Sequence, residues 1–292
     1  EIKADDYFQN VLFGYDTNGK LYLIPSGFHL ECLYGNPSVI GADISWTVSD
    51  YYSLSEKLGP EKKILANHTK PWLLERALET QTGSFLDLNS GLVSFDSDRF
   101  IELLKWSDAY GVDTLPDDEP DPMEVEKNKV AIGITPIGSP VDFCTQYRYM
   151  TCIPTYLGYP GSGEEGLPFC SSYVCGITAG CENPDLAWDF VRLFLLDDIQ
   201  ESLYQESGED YIPVSRDAAA KQIETFVTSR TEDGVNMSAY DDVFWDSYFA
   251  VLDRAAVPSA ANYAVNCIVF DESETFFAGQ ITAEETAERI QN

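Results

Sequence analysis

Apolar residues recur along this chain in two rhythms, one near the roughly 3.6-residue period of a helix and one near the two-residue period of a strand. In Arg99–Trp106 the residues Phe100, Leu103 and Leu104 fall on one helical face, behind Ser97 or Asp98 as a cap and ahead of Gly111, so a helix is predicted there. A second helix is predicted after Thr47, whose hydroxyl can cap backbone amides while Asp50, three residues on, suits the positive helix end. Asn183 as cap and Pro184 in the first turn open a third, in which Ala187, Phe190, Val191, Phe194 and Leu195 recur at helical spacing as far as about Gln205. Thr282 and Glu285 have the spacing of a reciprocal capping box, which predicts a helical chain end.

The strand rhythm is clearest in Lys129–Thr135, a buried strand expected to end at Pro136 and Gly138. Cys152-Ile153-Pro154 begins another such passage, and Ser172–Thr178 is strand-like. Near the start, Tyr7–Leu12 reads as a short helix, followed by a turn at Asn18-Gly19 and a strand that Pro25 interrupts. Strands alternating with helices predict an α/β protein, and no repeat with a period of about 20–50 residues is visible.

With 292 residues, the chain can bury two cores, because single cores stop growing near about 250 residues. Its 18 Lys and Arg stand against 49 Asp and Glu, a net charge of −31 that repels nucleic acid and anionic membrane surfaces. The densest acidic run, Asp117, Asp118, Glu119, Asp121, Glu124 and Glu126, reads as a solvated loop. No apolar run is long enough to span a bilayer, and the first residues lack the basic and apolar regions of a signal peptide, so any export signal is expected upstream or already removed. The seven cysteines include no CxxC pair and read mostly as small buried hydrophobes. His29 and His68 are the only histidines, so spacing predicts neither a metal site nor a cofactor.

Several segments occur in an order that resembles the extracellular solute-binding proteins of ABC importers, the group that includes the maltodextrin-binding protein. They are Gly19–Pro25, Trp46–Asp50, Phe95–Leu104, Lys129–Ile134, Asn183–Val191, Tyr211–Ser215 and Gly279–Glu285. The resemblance covers nearly the whole chain. It implies a type II, periplasmic-binding-protein-like fold of two α/β lobes, joined by crossing strands and closing on a hinge around a ligand that leaves unchanged. On that map residues 1–25 are the remainder of lobe I with the first crossover, 26–172 are lobe II, 173–221 are the return segment of lobe I, and 222–292 are the C-terminal helical part of lobe II. Family members carry further strands and helices ahead of the stretch that begins here at Glu1, with a signal peptide and often a lipidated cysteine. Lobe I is therefore expected to be incomplete in this chain. The implied setting is extracellular, as a cell-surface lipoprotein or a periplasmic protein, with membrane contact only through an upstream lipid anchor and with the permease as partner.

Sugar sites set aromatic faces against the CH groups of the ring and aim a few polar groups at its hydroxyls. With 17 Tyr and 5 Trp the chain is rich in suitable faces, although core packing also consumes aromatics. The resemblance places candidate ligand contacts at Phe28 and His29 after the first crossover, at Trp72 on a loop-to-helix junction, at Thr135 and Ser139, at Ser171, Ser172 and Tyr173 on the return crossover, and at Asn262 and Tyr263. Similar proteins carry a Trp in the turn that is here Thr135–Ser139. Gly138 stands near its place, which argues against a long maltodextrin. Two other readings stay open. One is a receptor for a non-sugar solute such as a phosphate ester, polyamine or peptide; the other is an acidic glycoside hydrolase with paired carboxylates. No GxSxG or Gly-rich phosphate loop supports an enzyme, and Gly161-Ser162-Gly163 lacks the strand-to-helix setting of a nucleophile elbow.

Overall fold

In the computed structural model the described residues are 2–17, 19–87, 90–116, 124–125, 127, 129–161, 166–207, 211–229, 240–258 and 263–292. The acidic run therefore lies outside them apart from Glu124, as do Asn18 of the predicted turn, residues 162–165 and the candidate Asn262. The strands are β1 (Asp16–Thr17), β2 (Lys20–Leu21), β3 (Gly27–Gly35), β4 (Lys63–Leu65), β5 (Leu86–Asp87), β6 (Leu92–Val93), β7 (Val130–Ile137), β8 (Thr155–Leu157), β9 (Leu167–Ser172), β10 (Ile212–Pro213) and β11 (Ala255–Pro258). The helices are α1 (Gln9–Leu12), α2 (Pro37–Ile40), α3 (Val48–Leu58), α4 (Lys70–Glu79), α5 (Thr82–Phe85), α6 (Asp98–Tyr110), α7 (Pro140–Met150), α8 (Pro184–Val191), α9 (Asp197–Ser207), α10 (Arg216–Ser229), α11 (Asp242–Leu252), α12 (Tyr263–Phe277) and α13 (Ala283–Gln291). The architecture is α/β, as the alternating rhythms predict.

Contacts divide the chain into two compact units. Unit 1 comprises Glu1–Cys32, Thr135–Pro154 and Glu165–Pro258, and unit 2 comprises Leu33–Ile134, Thr155–Glu164 and Ser259–Asn292. Both β3 and β7 contribute residues to each unit.

In unit 1 the first half of β3 pairs antiparallel with β9 and with β10, and β11 pairs parallel with β9. Within Phe28–Cys32 the apolar residues Phe28, Leu30 and Cys32 are fully buried and alternate with half-buried His29 and Glu31, the period-two pattern of a strand with one core face. Phe28 meets Phe8 edge-on at 5.4 Å and Phe169 at 6.3 Å, forming an aromatic centre under that face.

Unit 2 holds the second half of β3 against β8, and β4 parallel to β7, above a core supplied largely by α3, α4, α6 and α13. Trp46, Tyr51 and Trp106 stack edge to face through its middle, with centroids 5.2 and 5.5 Å apart. Lys70 at the start of α4 reaches Asp108 at 2.9 Å and Asp113 at 2.7 Å, binding that helix to the end of α6.

The predicted capping boxes form. Asp50 accepts from the Thr47 amide at 2.7 Å and its hydroxyl at 2.6 Å ahead of α3. At α13 the Thr282 amide donates to Glu285 at 2.9 Å and the Glu285 amide donates to the Thr282 hydroxyl at 3.1 Å. Thr282→Ala should lower stability by about 1 kcal/mol in urea unfolding, the usual worth of such a cap.

Three elements differ from expectation. The helix foreseen from Asn183 to Gln205 is two helices separated by a 3-10 turn at Arg192–Leu195 and an extended Leu196. Asp197 and Asp198 begin a new helix, where acids favour the positive end, and the Phe194 carbonyl is satisfied by the Gln200 side-chain amide at 3.0 Å. The strand foreseen at Ser172–Thr178 lies earlier, at Leu167–Ser172, because Tyr173 takes φ 48° and cannot continue an extended ladder. Strand β7 runs through Pro136 to Ile137. Its recorded pairing with β4 ends at Ile132, so on that edge the missing proline N–H leaves no partner wanting.

All seven cysteines are free thiols, and, contrary to the sequence reading, only Cys32 and Cys144 are buried. Burial pushes both of those up to about 12, so they stay protonated at neutral pH. Among the described residues no helix is long and apolar enough to cross a membrane.

Candidate functional site

Antiparallel pairing sets Gly27 opposite Ser172, Phe28 opposite Ser171, His29 opposite Cys170 and Leu30 opposite Phe169. Opposed residues share a face and successive residues alternate, so this register sorts the candidates. His29 and Ser172 lie on the half-exposed face together with Glu31 and Cys170. Phe28 and Ser171 lie on the core face, where Phe28 presents no surface and the Ser171 hydroxyl is buried without a hydrogen-bond partner.

At the end of the half-exposed face stand two tyrosines. Tyr211 is fully buried, lies against Gly27, and donates its hydroxyl to the Ser26 carbonyl at 2.8 Å. Tyr173 packs edge-on to it at 6.0 Å and remains 46% exposed. The result is an exposed aromatic ring held by a buried one, next to a strip carrying an imidazole, a carboxylate, a thiol and a serine.

His29 stands in the middle of that strip, between Gly27 and Glu31 on the same face of β3. Burial lowers its proton affinity, but hydrogen bonding and charge from Cys170 and Glu31 outweigh burial and raise it to about 10. Its Nε2 is 3.8 Å from Glu31 Oε1.

The other candidates are not part of this strip, although β7, which carries Thr135, neighbours β3 in the sheet. Ser139 is fully buried as the cap of α7, with Asp142 accepting from its amide at 2.9 Å and its hydroxyl at 3.0 Å. The half-buried Thr135 hydroxyl accepts from Gln146 at 3.2 Å. Trp72 belongs to unit 2, where its ring stacks on His68 at 4.2 Å and lies 5.6 Å from the Arg76 guanidinium. Burial and the charge of Lys63 lower the proton affinity of His68. Tyr263 is the first residue of α12, also in unit 2.

Recesses within unit 1 lie elsewhere. One of about 440 Å³ is walled by Ile2, Lys3, Asp6, Tyr7, Trp188 and Arg192, among others, and none of the candidate residues lines it. Trp188 also borders a smaller recess beside Cys175. Sequence reasoning missed Trp188, Glu31 and Cys170. The alternation of β3 held the signal for Glu31, whereas Cys170 required the register with β9.

A sequence model of bacterial extracellular solute-binding proteins matches residues 1–231. No curated protein matches the sequence significantly. Among solved structures, the sugar-binding protein MalE of Xanthomonas citri superposes with TM-score 0.61 at 13% identity, over 99% of this chain and 73% of that one. The cyclic alpha-maltosyl-1,6-maltose binding protein of Arthrobacter globiformis gives 0.54 at 16% identity, over 98% and 74%. The GacH receptor of Streptomyces glaucescens, solved unliganded and with acarbose, gives 0.55 at 14%, over 100% and 74%. The fold is thus α/β and periplasmic-binding-protein-like.

Proposed function

We propose, because this chain belongs to the bacterial extracellular solute-binding protein family, that it captures a carbohydrate and passes it unchanged to the permease of an ABC importer. The observation that carries the sugar reading is Tyr173, an exposed ring braced edge-on by buried Tyr211 at the end of a polar strip containing His29 and Ser172. A pyranose offers an apolar CH face and a rim of hydroxyls, and this combination matches both. The solved structures with the same fold, which include a cyclic maltosyl-maltose binding protein and an acarbose receptor, support the same ligand class.

In this reading Tyr173 stacks on the sugar, while His29, Ser172 and Thr135 supply hydrogen bonds. Phe28, Ser139 and Ser171 hold the strand and helix ends that position them. Trp72, Asn262 and Tyr263 remain the candidates of unit 2. The lobe boundaries at 25/26, 172/173 and 221/222, the extracellular or periplasmic setting and the upstream lipid anchor belong to the same proposal.

Calorimetric titration of the folded protein with a panel of mono- and oligosaccharides tests it. Tyr173→Ala should weaken the best ligand by about tenfold, roughly 1.4 kcal/mol, and Tyr173→Phe should retain affinity, since stacking needs the ring and not the hydroxyl. Absence of binding across the panel, or release of reducing sugar, would refute the reading.

A further inference from the structure

Zinc sites are usually legible as closely spaced Cys and His ligands, and the sequence has no CxxC or HxxxH pair. The sheet supplies what the spacing lacks. His29 and Glu31 stand two residues apart on β3 and so project to the same face, and Cys170 on β9 is the register partner of His29. One ligand atom from each of the three lies within 4.8 Å of the others. The side chains of His29 and Glu31 are 22% and 27% exposed, held in place yet open to solvent. The second ring nitrogen does not anchor His29 elsewhere: Nδ1 is buried and has no hydrogen-bond partner.

We propose that His29, Glu31 and Cys170 bind one divalent transition-metal ion through an imidazole nitrogen, a carboxylate oxygen and Sγ. A thiolate and an imidazole select zinc over magnesium or calcium, with the carboxylate completing three protein ligands and a fourth position left to water. Metal–ligand bonds of about 2.0–2.3 Å require the three side chains to draw together by rotation about their own bonds. Binding converts the thiol to a thiolate, and the released proton goes to solvent along with any proton held by the imidazole. The ion would clip β3 to β9 within the polar strip itself. This inference does not depend on the sugar reading, because metal titration is performed without sugar and sugar titration can be performed on metal-free protein.

The test uses the full chain, stripped with a chelator and kept reduced with a phosphine, titrated with cobalt(II) and then zinc. The expected result is one equivalent of cobalt giving a sulfur-to-cobalt charge-transfer band, displaced by zinc. Cys170→Ser should abolish that band while far-ultraviolet circular dichroism shows the same fold. Glu31→Gln should weaken zinc by about 100-fold or more, since even loss of a partner behind a ligand costs about 10–100-fold. Cys267→Ser, a thiol on α12, should leave the band intact. A wild-type protein with no stoichiometric band overturns the proposal, as does a band that survives both Cys170→Ser and Glu31→Gln.

Discussion

Gly27→Ala should destabilise the protein by about 3 kcal/mol or more. A methyl group at this position would stand 2.2 Å from Cε2 and 2.4 Å from Cζ of Tyr211, far inside any contact. Tyr211 has little room to yield. It is fully buried and its hydroxyl is committed to the Ser26 carbonyl at 2.8 Å and to the Ser26 hydroxyl at 3.2 Å. Gln222 also donates to its backbone carbonyl at 2.8 Å. Accommodating the methyl therefore means moving a paired strand or giving up the tyrosine hydrogen bonds. Urea unfolding followed by circular dichroism measures the loss, and a change below about 0.5 kcal/mol would show that the ring does not press on the strand as described.

Trp106→Ala should cost about 3–5 kcal/mol, the range for deleting a large buried aromatic side chain. Trp106 is fully buried in unit 2, edge-on to Tyr51 at 5.5 Å and near Tyr110 at 6.5 Å. Its indole N–H is buried without a hydrogen-bond partner, an arrangement that itself opposes folding. Trp106→Phe should consequently cost much less than the alanine variant, because it removes the unsatisfied donor along with only part of the ring. Equal losses in the two variants would mean that the indole N–H carries weight the structure does not show.

The two positions illustrate what the sequence could and could not reveal. Trp106 lies on α6, whose cap, periodicity and terminating glycine are all local signals, and its burial follows from the helical face it occupies. The capping boxes at Thr47 and Thr282 were legible for the same reason, since everything they need lies within four residues. Gly27 gives no local hint of its constraint, because the group that forbids a side chain is Tyr211. The polar strip is similar. Alternation in Phe28–Cys32 marks a one-faced strand, but only the pairing with β9 brings Cys170 beside His29 and sends Ser171 to the other face. The break between α8 and α9 escaped periodicity because Phe194 and Leu195 keep the apolar spacing while Asp197, Asp198 and Gln200 restart the helix.

That break also leaves an unusual outer surface. Leu186 and Phe190, one turn apart on α8, are 65% and 61% exposed, with Leu193 and Leu196 open just beyond them. Water over such a strip finds few groups to bond with, so these four side chains add little to the burial that stabilises the fold.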